Sequence, residues 1–378
     1  MRIAIFTETF APRVNGVVTR LRQTLPHLAR RGDSVLVVAP ADSPGFCDGA
    51  EVTGVRSLPL PLYPEIGVAL PSPTLGARLH RFRPDLIHAV NPAVLGLAAV
   101  HHAHALHVPL VASFHTDLPS YLHHYGLGSL EPLAWHILRS IHNNAEVNLC
   151  ISDPTAEKLV ARGFERVRVG WRGGVDTELF QAGRRDHLMR CRLAGGAPSA
   201  QLLLYVGRLG AEKGIESLRG VLQAVPGSRL AIVGDGPHRT ALQRHFEGWP
   251  VHFTGYLQGV ELAAAYASAD AFVFPSQTET LGLVVLEAMA SGCPVVAARA
   301  GGVPDLVVDG RNGLLFEPGR PEAAATAVRR LLGDPVLRAL LQSNGRRQAE
   351  DRGWGAAAQD LRDHYLAVLA AASTGTAA

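Results

Sequence analysis

The sequence predicts an α/β protein built from two doubly wound, Rossmann-like domains. Three observations carry that expectation. Short apolar, β-branched runs alternate with helical stretches along nearly the whole chain, these runs fall into two series separated by a glycine-rich polar segment, and 378 residues with 47% hydrophobic content suffice for two cores. Apolar runs without polar alternation belong to strands buried on both faces, which pair in parallel through right-handed helical crossovers.

Taken in order, RIAIF (2–6), VLVVA (35–39), DLIHAV (85–90), PLVASF (109–114) and EVNLC (146–150) mark a first domain over residues 1–172. The stretch GGVDTELFQAGRRDHLMRCRLAGGAPSAQ (173–201) reads as the linker and the entry to the second domain. LLLYVG (202–207), RLAIVG (229–234), VHFTG (251–255), AFVF (271–274) and PVVAA (294–298) mark that domain, residues 202–355. After GLLF (313–316) the pattern is helical, broken near Gly333-Asp334-Pro335 and Gly353, and the tail STGTAA (373–378) is expected to fray. No repeat of 20–50 residues is visible. Ligands of such sheets bind beyond the carboxyl ends of the strands, so the site is expected in a deep cleft across which the two domains face each other.

Composition removes several function classes. A formal net charge of +3 gives no general polycation, so no nucleic-acid partner is expected. Basic residues do cluster at Arg20, Arg22, Arg30 and Arg31 and again at Arg78, Arg81 and Arg83; such clusters are either solvated helix faces or contacts with an anionic membrane surface. The start MRIAIFTETF carries an apolar run too short for a secretory or membrane-spanning segment, and four scattered cysteines fit reduced thiols without structural zinc. Both features lead to the expectation of a cytoplasmic protein.

In QTETLGLVVLEAMASGCPVV (277–296), two glutamates bracket an apolar strand-to-helix junction. The helix is expected to begin near Leu281, leaving backbone N–H groups of Leu281, Gly282 and Leu283 able to receive a phosphate. On one continuous helix Glu279 and Glu287 would lie about 12 Å apart along the axis and about 80° apart around it. A nucleotide sugar carries its diphosphate between two polyols, so one carboxylate at each end can accept hydrogen bonds from hydroxyls. Glu287 sits within LVVLEAMA, which has no solvent-facing stripe.

VGRLGAEKG (206–214) places Arg208 and Lys213 in the loop after the first strand of the second domain, where paired cations suit a leaving diphosphate; the alternative is an ion pair with Glu212 or Glu216. Of 36 basic residues only Lys158 and Lys213 are lysine, which singles out Lys213 as a site needing a compact charge. Asn15-Gly16 precedes a helix and is either a plain turn or a close phosphate approach. His115, in SFHTD (113–117), stands at the end of a buried strand. Asp235 in GDGPHR (234–239), with Tyr256 after Gly255, is expected to line the base. No GxGxxG or GxSxG occurs, and HHAHALH (101–107) lacks the acid or cysteine that would complete a metal site.

Together, Gly16, His115, Gly174-Val175-Asp176, Arg208-x4-Lys213, Glu279-x7-Glu287 and Gly301-Gly302 resemble, in order and spacing, the retaining glycosyltransferases of family 4, which have the two-domain GT-B fold. The resemblance spans about residues 1–365. Residues 253–305 look nearest to the sulfoquinovosyltransferases that make sulfoquinovosyl diacylglycerol, and bacterial GDP-mannose-dependent α-mannosyltransferases are similar too. The resemblance implies that Arg208 and Lys213 hold the donor diphosphate, Glu279 the sugar hydroxyls, Glu287 the ribose and Gly16 a phosphate from the opposite domain, with His115 binding the sugar at the reaction centre. It also implies no divalent metal or other cofactor, a final helix (356–378) that returns to the first domain, a UDP- or GDP-linked hexose donor, and a lipid or glycan acceptor. With the apolar loop LPLPLYPEIGVALP (58–71) and the basic helix, a lipid acceptor suggests peripheral contact with the inner face of the membrane. Gly173 stands where the family usually has asparagine or lysine, and Thr280-Leu281 replaces the commoner Gly-Phe, as in the sulfolipid-type enzymes. A nucleotide-sugar epimerase or hydrolase, and a non-catalytic nucleotide-sugar sensor, are the alternatives on the same fold.

Overall fold

The computed structural model describes residues 1–13, 15–60, 63–69, 73–117, 119, 128–279 and 282–374, with the side chains of 57–73 left undescribed. It divides into two units, Met1–Gly173 with Trp354–Ala378, and Gly174–Gly353.

The first unit contains β1 (Arg2–Thr7), β2 (Ser34–Pro40), β3 (Phe46–Cys47), β4 (Ala50–Val55), β5 (Ser57–Leu60), β6 (Tyr63–Ala69), β7 (Leu86–Val90), β8 (Leu110–Ser113), β9 (Val147–Cys150) and β10 (Val167–Val169). Eight of these form one sheet in the order β10-β9-β8-β7-β1-β2-β4-β3, parallel except for the β3–β4 edge. Side chains alternate across each strand. Ile3, Ile5, Val35 and Val37 therefore face one core with Leu21, Leu25 and Leu28 of the first helix, Gly16–Arg30, while Ala4, Phe6, Leu36 and Val38 face another with Leu75, Leu79, Leu95 and Ala99. The final helix, Trp354–Ser373, adds Leu361, Tyr365 and Val368 to the first of those cores. The stretch 58–71, expected as a loop, contains instead the antiparallel pair β5–β6.

The second unit has a six-stranded, wholly parallel sheet of β11 (Gln201–Val206), β12 (Ser228–Val233), β13 (Val251–Gly255), β14 (Ala271–Phe274), β15 (Val295–Ala298) and β16 (Leu314–Phe316). Its order, β13-β12-β11-β14-β15-β16, reverses direction at β11, which is the topological switch point of a doubly wound sheet. The segment expected as a linker is largely part of this unit. The helix His187–Leu193 is capped by the Asp186 side chain accepting from Met189 N–H at 2.6 Å, Arg190 pairs with Asp270 at 2.7 Å, and Leu193 and Ala194 are buried in the second core. Its polar residues are caps and ion pairs rather than linker surface. The helical breaks fall where glycine and proline suggest: Asp334 caps the helix Pro335–Glu350, and Gly353 ends the unit.

The two chain crossings between the units, at 173–174 and 353–354, lie side by side. Val175 N–H donates to the Arg352 carbonyl at 2.9 Å and Val175 forms a parallel bridge with Gly353. Asp176 then accepts from the N–H groups of Glu178 and Leu179, so the Gly-Val-Asp motif is a side-chain-closed turn that fixes where the chain enters the second unit.

Candidate active site

At the carboxyl ends of the second unit's strands, the loop after β11 meets the loop after β14. Lys213 Nζ donates to Glu279 Oε2 at 3.0 Å, and Glu279 Oε1 accepts from Gly282 N–H at 3.1 Å. Both side chains are mostly buried, at 13% and 16% exposure, so the pair is shielded yet reachable. Leu281 lies outside the described residues. The helix itself runs Leu283–Ala290, two residues later than expected, with Gly282 as its N-cap at φ +60°. Glu279 is therefore a loop residue, and only Glu287 is on the helix; the Gly282 N–H is occupied, while Leu283 opens the first turn whose amides lack intrahelical acceptors.

Backbone contacts set the Glu279 loop. Gly302 N–H donates to the Glu279 carbonyl at 2.8 Å, and a Cβ on Gly301, at φ +56°, would stand 2.0 Å from that oxygen. Gly301-Gly302 thus lets two loops touch main chain to main chain.

Arg208 donates through Nη1 to Glu212 Oε1 at 2.9 Å, with Glu212 buried. The ion pair weighed as the alternative for Arg208 is present, beside the Lys213–Glu279 pair rather than instead of it. The Arg208 loop is buttressed by the 234–239 loop, since Leu209 N–H donates to the Asp235 carbonyl at 2.9 Å and His238 N–H to the Leu209 carbonyl at 2.9 Å. The Asp235 carboxylate holds Arg239 at 2.6 Å, and the Tyr256 ring is half exposed with its hydroxyl 3.5 Å from the Asp235 carbonyl.

Glu287 accepts from the Tyr266 hydroxyl at 2.9 Å, and burial pushes its carboxyl up to about 7. An acid whose folded pKa is raised binds its proton more tightly folded than unfolded, so its contribution to stability is present at low pH and is lost as pH rises from 4.5 through about 7. Urea unfolding at pH 5 and pH 8 is expected to show this loss, and Glu287→Gln to remove up to about 3 kcal/mol of it. An unchanged pH slope in the variant would mean that Glu287 is ionised throughout.

The first-unit residues are disposed differently. Asn15 is the N-cap of Gly16–Arg30, its side chain accepting from Val18 N–H at 3.0 Å and donating to Thr9 Oγ1 at 2.9 Å, and Gly16 opens that helix. His115, expected to bind sugar directly, is 1% exposed. Its Nδ1 faces Arg20 Nη1 at 3.1 Å, its Nε2 faces Ser113 Oγ at 2.9 Å, and its ring stands edge-on to Trp171. Burial and the neighbouring Arg20 hold the ring well below the usual histidine range, hence neutral. Both ring nitrogens are engaged inside the first unit, so the ring is held in place by Arg20 and Ser113. Arg20, counted with the exposed basic cluster, is wholly buried, whereas Arg22, Arg30 and Arg31 are exposed.

Glu8 has a role that its own stretch of sequence does not announce. Its Oε1 accepts from the N–H groups of Ala93, Leu95 and Gly96, capping the helix Val94–Leu106, which has no cap of its own. Burial lifts this carboxyl to about 7 against those three bonds. A cap supplied from 85 residues away leaves no local sequence signal. Among the described residues no group of three or more His, Cys, Asp and Glu is placed to hold a metal, and no helix is long and apolar enough to cross a membrane.

The whole fold has known counterparts. Sucrose-phosphate synthase of Thermosynechococcus elongatus superposes with a TM-score of 0.82 at 24% identity, covering 98% of this chain and 99% of that one, so the fold is that of the GT-B class. Sequence narrows the class to a family. Residues 14–179 match the family described as "Glycosyltransferase Family 4" and residues 200–334 the one described as "Glycosyl transferases group 1". The chain is 42% identical to sulfoquinovosyl transferase SQD2 of Arabidopsis thaliana over 97% of its own length and 74% of that protein, and 40% identical to a GDP-mannose-dependent alpha-mannosyltransferase of Mycolicibacterium smegmatis over 98% of each. It belongs to glycosyltransferase family 4 and transfers sugar from a nucleotide sugar.

Proposed function

We propose that the protein is a retaining, metal-independent hexosyltransferase that takes its sugar from a UDP- or GDP-linked donor and passes it to a membrane glycolipid or diacylglycerol. The observation that carries this reading is the Lys213–Glu279 pair, 3.0 Å apart at the entrance to the Leu283–Ala290 helix. A diphosphate there meets the Lys213 ammonium, the Arg208 guanidinium and first-turn amides, which together stabilise the charge that develops on the leaving group. The Glu279 carboxylate accepts from sugar hydroxyls, and Glu287 from the ribose. With these cations and the helix dipole supplying the electrostatics, no divalent ion is required. Retention is supported by the relatives' names: GDP-mannose carries its sugar in α linkage, and an α-mannosyl product keeps that configuration. A lipid acceptor is supported by the likeness to a GDP-mannose-dependent alpha-(1-6)-phosphatidylinositol monomannoside mannosyltransferase of Mycolicibacterium smegmatis, 32% identical over 92% of this chain and 93% of that protein, and peripheral membrane contact by the exposed Arg22, Arg30 and Arg31.

The test is a panel of UDP- and GDP-hexoses incubated with the protein and vesicles containing diacylglycerol or glycolipid, with EDTA present, and products identified by mass and anomeric NMR. An α-linked glycolipid formed in EDTA is the expected product. Transfer only to soluble glycans removes the lipid acceptor, and free hexose or an epimerised donor without acceptor dependence removes transfer itself.

A further inference from the structure

Arg20 is a buried cation with no carboxylate partner among the described residues. Its Nη1 meets His115 Nδ1 at 3.1 Å, its guanidinium carbon lies 5.0 Å from the centre of the Trp171 ring, and its Nε and Nη2 are buried with no hydrogen-bond partner among the described residues. The carboxylate whose field it feels, Asp360, is occupied by Trp171 N–H at 2.5 Å. An uncompensated buried charge opposes folding, and well-packed apolar replacements are often neutral or stabilising. Its effect on its neighbours is therefore what sets Arg20 apart from an apolar residue of the same size.

A guanidinium only donates, so His115 Nδ1 must accept. The neutral ring then carries its proton on Nε2 and donates it to Ser113 Oγ at 2.9 Å. Ser113 Oγ is also 2.8 Å from His88 Nε2, and His88 Nδ1 is 2.6 Å from the Tyr365 hydroxyl on the final helix. The main chain is held too, because Asn91 Oδ1 accepts from the N–H groups of His115 and Thr116 at 3.2 and 2.9 Å. Arg20 thus sits at the head of a hydrogen-bond chain that runs under the C-terminal end of β8 and reaches Tyr365.

We propose that Arg20 is a positioning residue for sugar transfer, acting through His115: it imposes the Nε2–H tautomer and so fixes the His115 ring against Ser113, while Asn91 holds the His115–Thr116 backbone that follows β8. The kinetic part rests on the hexosyltransferase reading above; the tautomer does not.

The full-length protein labelled with 15N at histidine rings tests it, with His115 resonances found by difference against His115→Gln. Between pH 6 and 8 the wild type is expected to show His115 protonated on Nε2 alone. Arg20→Met is expected to release this order so that the Nδ1–H form appears, to unfold at a temperature equal to or above that of the wild type, and to lose about 10-fold or more in kcat with little change in donor KM. Arg20→Lys, which keeps the charge, is expected to recover part of kcat, and it carries the comparison if Arg20→Met does not fold. A wild-type His115 protonated on Nδ1 overturns the proposal, as does a variant whose tautomer order is lost while kcat stays at the wild-type value. If the wild type transfers no sugar to any acceptor, the functional reading fails while the spectrum still decides the tautomer.

Discussion

Lys213→Ala is expected to lower hexose transfer by about 10²–10³-fold, chiefly in kcat. The ammonium is the charge that meets the leaving diphosphate as its bond to the sugar breaks, so its contribution grows toward the transition state. It also holds Glu279 from the Oε2 side, leaving Gly282 N–H as the partner on Oε1. Lys213→Arg is not expected to restore the rate, because a planar fork cannot occupy the place of a compact ammonium against a carboxylate of 16% exposure. Initial rates with the donor found in the panel, alongside thermal unfolding to show that the fold is kept, provide the measurement. A Lys213→Ala rate within threefold of wild type would falsify the placement of the diphosphate.

The second large effect comes from a residue that acts through its backbone contact with the Glu279 loop. Gly301→Ala puts a methyl group where the Glu279 carbonyl already stands, 2.0 Å away, at a φ of +56°. The neighbour is backbone and cannot swing aside, so the Glu279 loop must move. A loss of about 2–4 kcal/mol in stability is expected from the strained conformation and the displaced contact. A shift of the carboxylate by even an ångström should lower transfer by about 10²-fold. Gly310→Ala separates these effects, since Gly310 has a similar positive φ of +73° but no atom within 4 Å of its would-be Cβ. It should cost about 1 kcal/mol and leave the rate unchanged. Equal rates in the Gly301 and Gly310 variants would show that the Glu279 loop does not depend on this contact.

How far the sequence discloses the protein depends on how local each feature is. The ten expected strands are all present because their apolar runs are continuous and lie between helical segments. Lys213, Glu279 and Gly301 are legible because each sits in a loop directly after a recognisable strand. Of the stretch 173–201, read as linker and entry to the second domain, the entry is the part the structure makes evident, because Asp186 and Arg190 look solvent-facing until their partners Met189 N–H and Asp270 are placed. Arg20 was misread for a related reason. It lies between Val17 and Thr24 on the buried stripe of its helix, and a charged residue there announces exposure while the helical period puts it inside. His115 shows the limit from the other side: a strand-end histidine reads either as a structural ring or as a ligand, and the ring's own partners Arg20, Ser113 and Trp171 come into view only in the fold. Glu8 and its distant helix have no local sign at all.

The first unit is not one continuous piece of sequence, and this has a consequence for how the protein is made. Leu361, Tyr365 and Val368 are built into a core whose other members lie between Ile3 and Trp171. On the ribosome, residues 1–173 emerge first but lack these side chains, which are added only after the whole of residues 174–353 has been synthesised. At about 5–20 residues per second, the interval between Gly173 and Tyr365 is roughly 10–40 s. During that time the nascent chain carries an open apolar face where Leu361, Tyr365 and Val368 will pack, so the first-born unit cannot close its core until the last-made helix is added.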